Sequence, residues 1–131
     1  MMTDPISDML TRIRNASMVK KRVIELPFSK IKFAIAKILE SEKYVSNVEK
    51  FEDGNKPMLR LELIYDGTNS PAISSVQRIS KPGRRIYMKA NELRRVQSGF
   101  GFAIVSTPNG LMTSNEARKR RLGGEVICEV Y

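Results

Sequence analysis

Between Phe102 and Val130 the chain changes its secondary-structure preference several times over a short span, and that succession leaves few folds open. Phe102-Ala103-Ile104-Val105 is a short apolar, β-branched run of the kind that fills a buried strand. In Ser106-Thr107-Pro108-Asn109-Gly110, Pro108 presets φ and Asn109-Gly110 tolerates positive φ, so the chain turns there. Thr113-Ser114-Asn115-Glu116 then has the pattern of a capping box opening a helix that carries Arg118-Lys119-Arg120-Arg121. That helix is expected to stop at Gly123-Gly124, with Glu125 to Val130 returning as a strand. A small polar loop held by strands beside a cationic helix suits contacts to sugar edges, phosphates and unstacked bases better than bond-breaking chemistry. The same residues also fit an ordinary strand-to-helix connection, and the local sequence leaves both readings open.

Charge placement favours a polyanionic partner. The net charge is +9. Residues 1–66 hold twelve Lys/Arg against ten Asp/Glu, whereas residues 67–131 hold eleven against four, so the second half carries +7. Few acids mask its cations, which is the electrostatic footprint of a nucleic-acid binder. A membrane surface fits less well, because no basic amphipathic stretch has a bulky apolar face. No apolar run approaches the ~20 residues of a membrane span, and the N-terminal residues lack signal- or transit-peptide character. A cytoplasmic protein is therefore expected. The chain has no histidine, which removes the usual general base and the commonest metal ligand. Its one cysteine, Cys128, cannot build a disulfide framework or a Cys-based metal site, and reads as a buried structural thiol. No catalytic residue, metal or cofactor is expected.

The rest of the chain reads as an α+β protein of two small α/β lobes. Asp4-Pro5 starts a helix whose Ile6, Met9, Leu10 and Ile13 form one apolar stripe. Arg12, Arg14 and Asn15 fall off that stripe, as a solvated face or as phosphate contacts. Val23 to Leu26 is a short strand ended by Pro27. Ser29 caps a second helix, with Phe28 placed against Phe33 and a buried stripe of Ile31, Ala34, Ile35, Ile38 and Leu39. Lys30, Lys32 and Lys37 lie outside that stripe. Val45 to Glu52 and Met58 to Tyr65 are strands joined across Asp53-Gly54-Asn55-Lys56-Pro57. The α-β-α-β-β order makes a first lobe over residues 1–66, residues 67–71 read as a linker, and a mostly β second lobe covers residues 72–131. Within it, Ala72 to Ile79 is a strand and Lys81-Pro82-Gly83 a turn. Arg84 to Lys89 is a further strand that puts Arg85, Tyr87 and Lys89 on one face. A tyrosine flanked by two cations can stack a base while neutralising phosphates, or be a half-buried ring with two screening charges. Asn91 to Val96 is a helical turn bearing Arg94 and Arg95. Ser98-Gly99-Phe100-Gly101 is a glycine-rich approach to the next strand, without the features of a phosphate loop.

Three stretches resemble one family over the whole chain. Ile104 to Thr113 with Glu116-Ala117-Arg118 and Leu122 to Cys128, Asp4 to Ala16, and Gln77 to Gly83 are similar to bacterial small-subunit ribosomal protein eight. The resemblance implies a structural, primary rRNA-binding protein of the small ribosomal subunit. Its C-terminal lobe would dock on a helix of the central domain of small-subunit rRNA and help assemble the platform. Ser106, Thr107, Pro108, Asn109 and Gly110 would lie against irregular nucleotides in a minor groove. Tyr87 and Glu125 would follow from the strands that frame the loop, with Arg85, Lys89, Gly124, Arg118 and Arg120 beside them. Arg12, Arg14, Asn15 and Lys30 would be backbone contacts from the N-terminal lobe. The resemblance also implies neighbouring ribosomal proteins, notably protein five and also protein twelve, and in some bacteria repression of the protein's own operon mRNA. The chain departs from the family pattern at Pro108, where many members have a hydroxyl residue, and at Asn109, where a basic residue is common. Its Arg118 to Arg121 run is more densely basic.

Two other functions are weighed against this one. A Ser/Lys hydrolase built on Ser106 would need a desolvated lysine, and every lysine lies in a polar or basic stretch. A general RNA-binding or regulatory protein would bind by charge, with a steep salt dependence and no preferred sequence.

Overall fold

The structure, a computed structural model, describes residues 4–93 and 101–131. The chain forms two units, Pro5–Ile73 and Ser74–Tyr131, the second joined by Asp4. The linker expected at residues 67–71 is a tight turn of the first unit. Asp66 accepts hydrogen bonds from the Thr68 and Ser70 backbone N–H groups, Tyr65 bridges Pro71, and the division between units falls after Ile73.

The first unit runs α1 (Pro5–Met18), β1 (Val23–Pro27), α2 (Lys30–Ser41), β2 (Val45–Asp53) and β3 (Lys56–Leu63), with a sheet of order β1-β3-β2, all antiparallel. Helical periodicity puts Ile6, Met9, Leu10, Ile13 and Ala16 on the buried side of α1, which packs on α2 and β1, and alternation puts Leu59, Leu61 and Leu63 on the buried face of β3. The cap and staple of α2 form as expected. Ser29 Oγ accepts from the Lys32 N–H at 3.2 Å, and the Phe28 and Phe33 ring centroids are 5.7 Å apart. The stripe of α2 is rotated from the expected one. Lys32, Ile35, Ala36 and Leu39 are buried, Ala34 and Ile38 half-buried, and Ile31 is 38% exposed. Lys32 is tolerated inside because its four-carbon stem packs while Asp8 offsets part of the cost. Burial lowers its pKa, Asp8 opposes that shift, and Arg12 adds to it. Strand β3 ends at Leu63. Tyr65 has left the ladder, and its hydroxyl donates to the Lys21 carbonyl at 2.6 Å.

The second unit is a sheet of β4 (Val76–Arg78), β5 (Tyr87–Met88), β6 (Phe102–Thr107), β7 (Gly110–Thr113) and β8 (Gly124–Val130). A 3-10 turn (Ala90–Glu92) and α3 (Ser114–Arg120) complete it. The order is β4-β8-β6-β7, with β5 also on β8. Leu93, Ala103, Val105, Met112, Ala117 and Val126 form one buried cluster, and Val76, Phe102, Ile104, Ile127, Cys128 and Val130 are buried as well. The strands expected over 72–79 and 84–89 are cut to three and two residues. Backbone hydrogen bonding to β8 nevertheless runs past β4 at both ends, with Ser75 and Tyr131 exchanging bonds and the Ile79 N–H donating to the Ile127 carbonyl, before Lys81 and Arg84 pair across the Pro82-Gly83 turn. The helical turn expected over 91–96 begins one residue earlier. Arg94, Arg95 and the segment through Phe100 lie outside the described residues.

The stretch around Pro108 is a hairpin, not a strand-to-helix connection. Thr107 pairs with Gly110, Ser106 with Leu111 and Val105 with Met112, and Gly110 takes φ +108°. Strand β7 escaped the sequence reading because its four residues run straight into the helix cap. Helix α3 then ends at Arg121, which itself adopts the left-handed conformation (φ 57°), rather than at the glycine pair. Those glycines serve close packing. A Cβ on Gly124 would lie 2.0 Å from the Ser106 carbonyl oxygen, and one on Gly123 2.6 Å from that of Met88. Only half of the expected capping box forms. Thr113 Oγ1 accepts from the Glu116 N–H at 3.2 Å, while the Glu116 carboxylate accepts from Arg120.

Candidate nucleic-acid interface

Strand pairing places Tyr87, Glu125, Ser106 and Leu111 in one row across β5, β8, β6 and β7. Directly opposed residues of antiparallel strands share a face with Cβ atoms about 5 Å apart. Three residues proposed separately from sequence are therefore neighbours on one surface. Tyr87 is 69% exposed although only a two-residue strand carries it. Alternation holds through this segment, with Arg85 and Lys89 exposed beside Tyr87 and with Ile86 and Met88 half-buried beneath.

Glu125 is the fixed centre of the row. Its carboxylate accepts from Ser80 Oγ and from Arg85 Nη1 at 3.0 Å, and Ser80 Oγ in turn accepts from the Ile86 N–H at 3.1 Å. Burial pushes the Glu125 carboxyl up, but the Ser80 and Arg85 hydrogen bonds and the charges of Arg85 and Arg78 outweigh it and hold it below the ordinary range. The Arg85 guanidinium is thus drawn toward the sheet and partly neutralised. Ser80, fully buried, is a residue the sequence reading missed as a functional one. Its sequence signal was a hydroxyl just ahead of a Lys-Pro-Gly turn.

The hairpin tip divides into structural and exposed groups. Thr107 is buried at 8% exposure, and its hydroxyl donates to the Gly110 carbonyl at 2.8 Å while accepting from the Asn109 N–H at 3.1 Å. Thr107 therefore ties the turn together instead of facing outward. Pro108, Asn109 and Gly110 are exposed, and Ser106 is half-buried. Gly124 contributes by admitting β8 against the Ser106 backbone. On α3, Arg118 is bonded to the Asn115 side chain and Arg120 to Glu116 at 2.7 Å. The three cations of its last turn also suit the negative end of the helix dipole.

The predicted contacts of the first unit lie on its own surface. Arg12, Arg14, Asn15 and Lys30 are exposed, and Arg12 pairs with Asp8 at 3.1 Å. Arg12 and Asn15 line a cavity with Lys21 and Glu25.

Nothing in this surface resembles an active centre. Cys128 is fully buried with its thiol pushed up to about 12, far from a reactive thiolate. No helix among the described residues is long and apolar enough to cross a membrane. Residues 4–131 match the family model of ribosomal protein S8. The small ribosomal subunit protein uS8 of Clostridium botulinum is 51% identical over 99% of this chain and 98% of its own length, and that of Staphylococcus haemolyticus is 53% identical over the same shares. The chain belongs to the ribosomal protein S8 family, as a structural protein of the small ribosomal subunit.

Proposed function

We propose that the second unit binds a helix of the central domain of small-subunit rRNA, reading an irregular internal loop with the row Tyr87–Glu125–Ser106 and the hairpin tip. The observation that carries this reading is the register that sets an exposed tyrosine, an anchored carboxylate and a hydroxyl side by side next to a protruding turn. An exposed ring stacks an unpaired base, and hydroxyl and carboxylate groups distinguish sugar and base edges that a duplex hides. Lys89 and the cations of α3 supply phosphate contacts around the row. Arg12, Arg14, Asn15 and Lys30 make the backbone contacts of the first unit. As a primary rRNA binder in the cytoplasmic small subunit, the protein helps assemble the platform beside proteins five and twelve. Recognition of a matching irregular helix in its own operon mRNA follows from the same surface.

The test compares binding to a central-domain rRNA hairpin with binding to the same hairpin repaired to continuous pairs, across a salt series. A preference for the native hairpin that survives high salt is expected. Equal binding of both, fading together as salt rises, would replace shape reading by a purely charge-driven interaction.

A further inference from the structure

Beyond the row, a second feature of the same unit points to an anion. A cavity of about 460 Å³ lies between the 3-10 turn and the end of α3, lined by Ala90, Asn91, Arg118 and Arg121. Asn115 holds one terminal nitrogen of Arg118, while the other, Nη1, is buried and makes no hydrogen bond among the described residues. A buried charged donor without an acceptor is uncommon in a native fold. The acids flanking the cavity are engaged elsewhere, Glu92 by the Lys89 N–H and Glu116 by Arg120. Arg121 adds a second cation, and it does so in the left-handed conformation at φ 57°. Helices ordinarily turn through that conformation with glycine or asparagine, because a larger side chain is strained there. Lys20 and Lys43 take the same conformation past α1 and α2, so what bears on the anion is the place of the Arg121 charge at the cavity and not its backbone.

We propose that Arg118 and Arg121, with Asn91, form a phosphate site in this cavity. On the RNA-binding reading above, on which this step rests, the phosphate is a phosphodiester of the bound RNA lying beyond the Tyr87–Ser106 row. Arg118 presents Nη1 from a guanidinium already oriented by Asn115, and a phosphate reaches it by a rotamer change of exposed Arg121 or Asn91. The assignment separates the basic run into parts. Arg118 and Arg121 hold the phosphate, whereas Arg120 is tied to Glu116.

Arg121→Gly is the discriminating variant, because relief of the left-handed strain and loss of the cation act in opposite directions. Its melting temperature should equal or exceed that of the parent, while affinity for the native hairpin falls about 3–10-fold and the log–log salt slope flattens by roughly one. Arg118→Gln should weaken binding about tenfold, with the Arg118 Nε–H resonance of the parent shifting on addition of the hairpin. Parent-like affinity and slope in both variants, with the parent still preferring the native hairpin, would overturn the site and leave the RNA reading intact. Loss of that preference in the parent would instead overturn the RNA reading. Titration with inorganic phosphate separates the two sources. A shift of the Arg118 and Asn91 side-chain signals at millimolar phosphate supports the site. Such a shift with RNA binding indifferent to both variants would assign it to free anions and overturn the phosphodiester.

Discussion

Thr107 and Ser106 are adjacent hydroxyl residues with different work, and only the hydrogen bonds separate them. Thr107 closes its own turn, so Thr107→Ala should cost about 1 kcal/mol of folding stability, seen as a lower denaturation midpoint, and should weaken RNA binding through a looser tip. Ser106→Ala should leave the midpoint within about 0.5 kcal/mol and still lower affinity for the native hairpin about fivefold. Equal stability losses in the two would remove the distinction. Glu125 carries a pH signature. Its pKa is depressed in the fold, so its contribution is fully present above the unfolded value near ~4.3 and is lost as pH falls through the lower folded value. The stability gap between the parent and Glu125→Gln, measured by urea melts from about pH 7 to about pH 3, should therefore narrow toward acid. Cys128 gives a further check. Its buried thiol should resist alkylation at about pH 8 in the folded protein and label only on unfolding.

At the scale of elements, what was legible in the sequence was what depends on near neighbours. The Ser29 cap, the Phe28–Phe33 staple and the apolar stripe of α1 are set within a few residues, and they form where the pattern puts them. The alternation of Arg85, Tyr87 and Lys89 survives even though the strand itself shrinks to two residues. What was not legible depends on tertiary partners. Lys32 turns inward because an acid on α1 offsets part of its burial, which no local pattern announces. Gly123-Gly124 has the composition of a helix stop, yet its reason is the backbone of Ser106 and Met88 pressed against it. Of the candidate site, the residues of the row were legible singly. Their common register, and the place of Ser80 behind Glu125, needed the strand pairing. A test at this scale is Gly124→Ala. The clash is with backbone carbonyl on a paired strand, which cannot swing aside, so the substitution should cost about 2–4 kcal/mol and part β8 from β6. Its circular-dichroism melt should drop by many degrees. A melt like the parent's would mean that β8 accommodates a side chain there.

For the whole molecule the decisive quantity is how the charge is shared. Residues 67–131 carry seven of the nine net positive charges, and acids pair with only some of their cations. Among the described residues three cations have carboxylate partners in each unit, Arg12, Lys37 and Arg60 in the first and Arg78, Arg85 and Arg120 in the second, so the difference lies in the ten acids of residues 1–66 against the four of residues 67–131. Each phosphate neutralised by a free cation releases counterions and steepens the salt dependence, whereas a cation held by a carboxylate contributes less until that pair opens. The salt slope of RNA binding should therefore be set mainly by the second unit. Lys89→Gln combined with Lys119→Gln, both exposed cations of that unit, should flatten the log–log slope by roughly one to two. Arg12→Gln combined with Lys37→Gln, a pair of equal charge in the first unit, should flatten it by less than about one. Because these changes leave the row untouched, the preference for the native over the repaired hairpin should persist in both double variants. Shape reading by Tyr87, Glu125 and Ser106 and attraction by the cations are then separable contributions, one tested by the hairpin pair and the other by salt. A slope that falls equally in both variants would spread the phosphate contacts evenly over the two units and break the link between charge placement and binding.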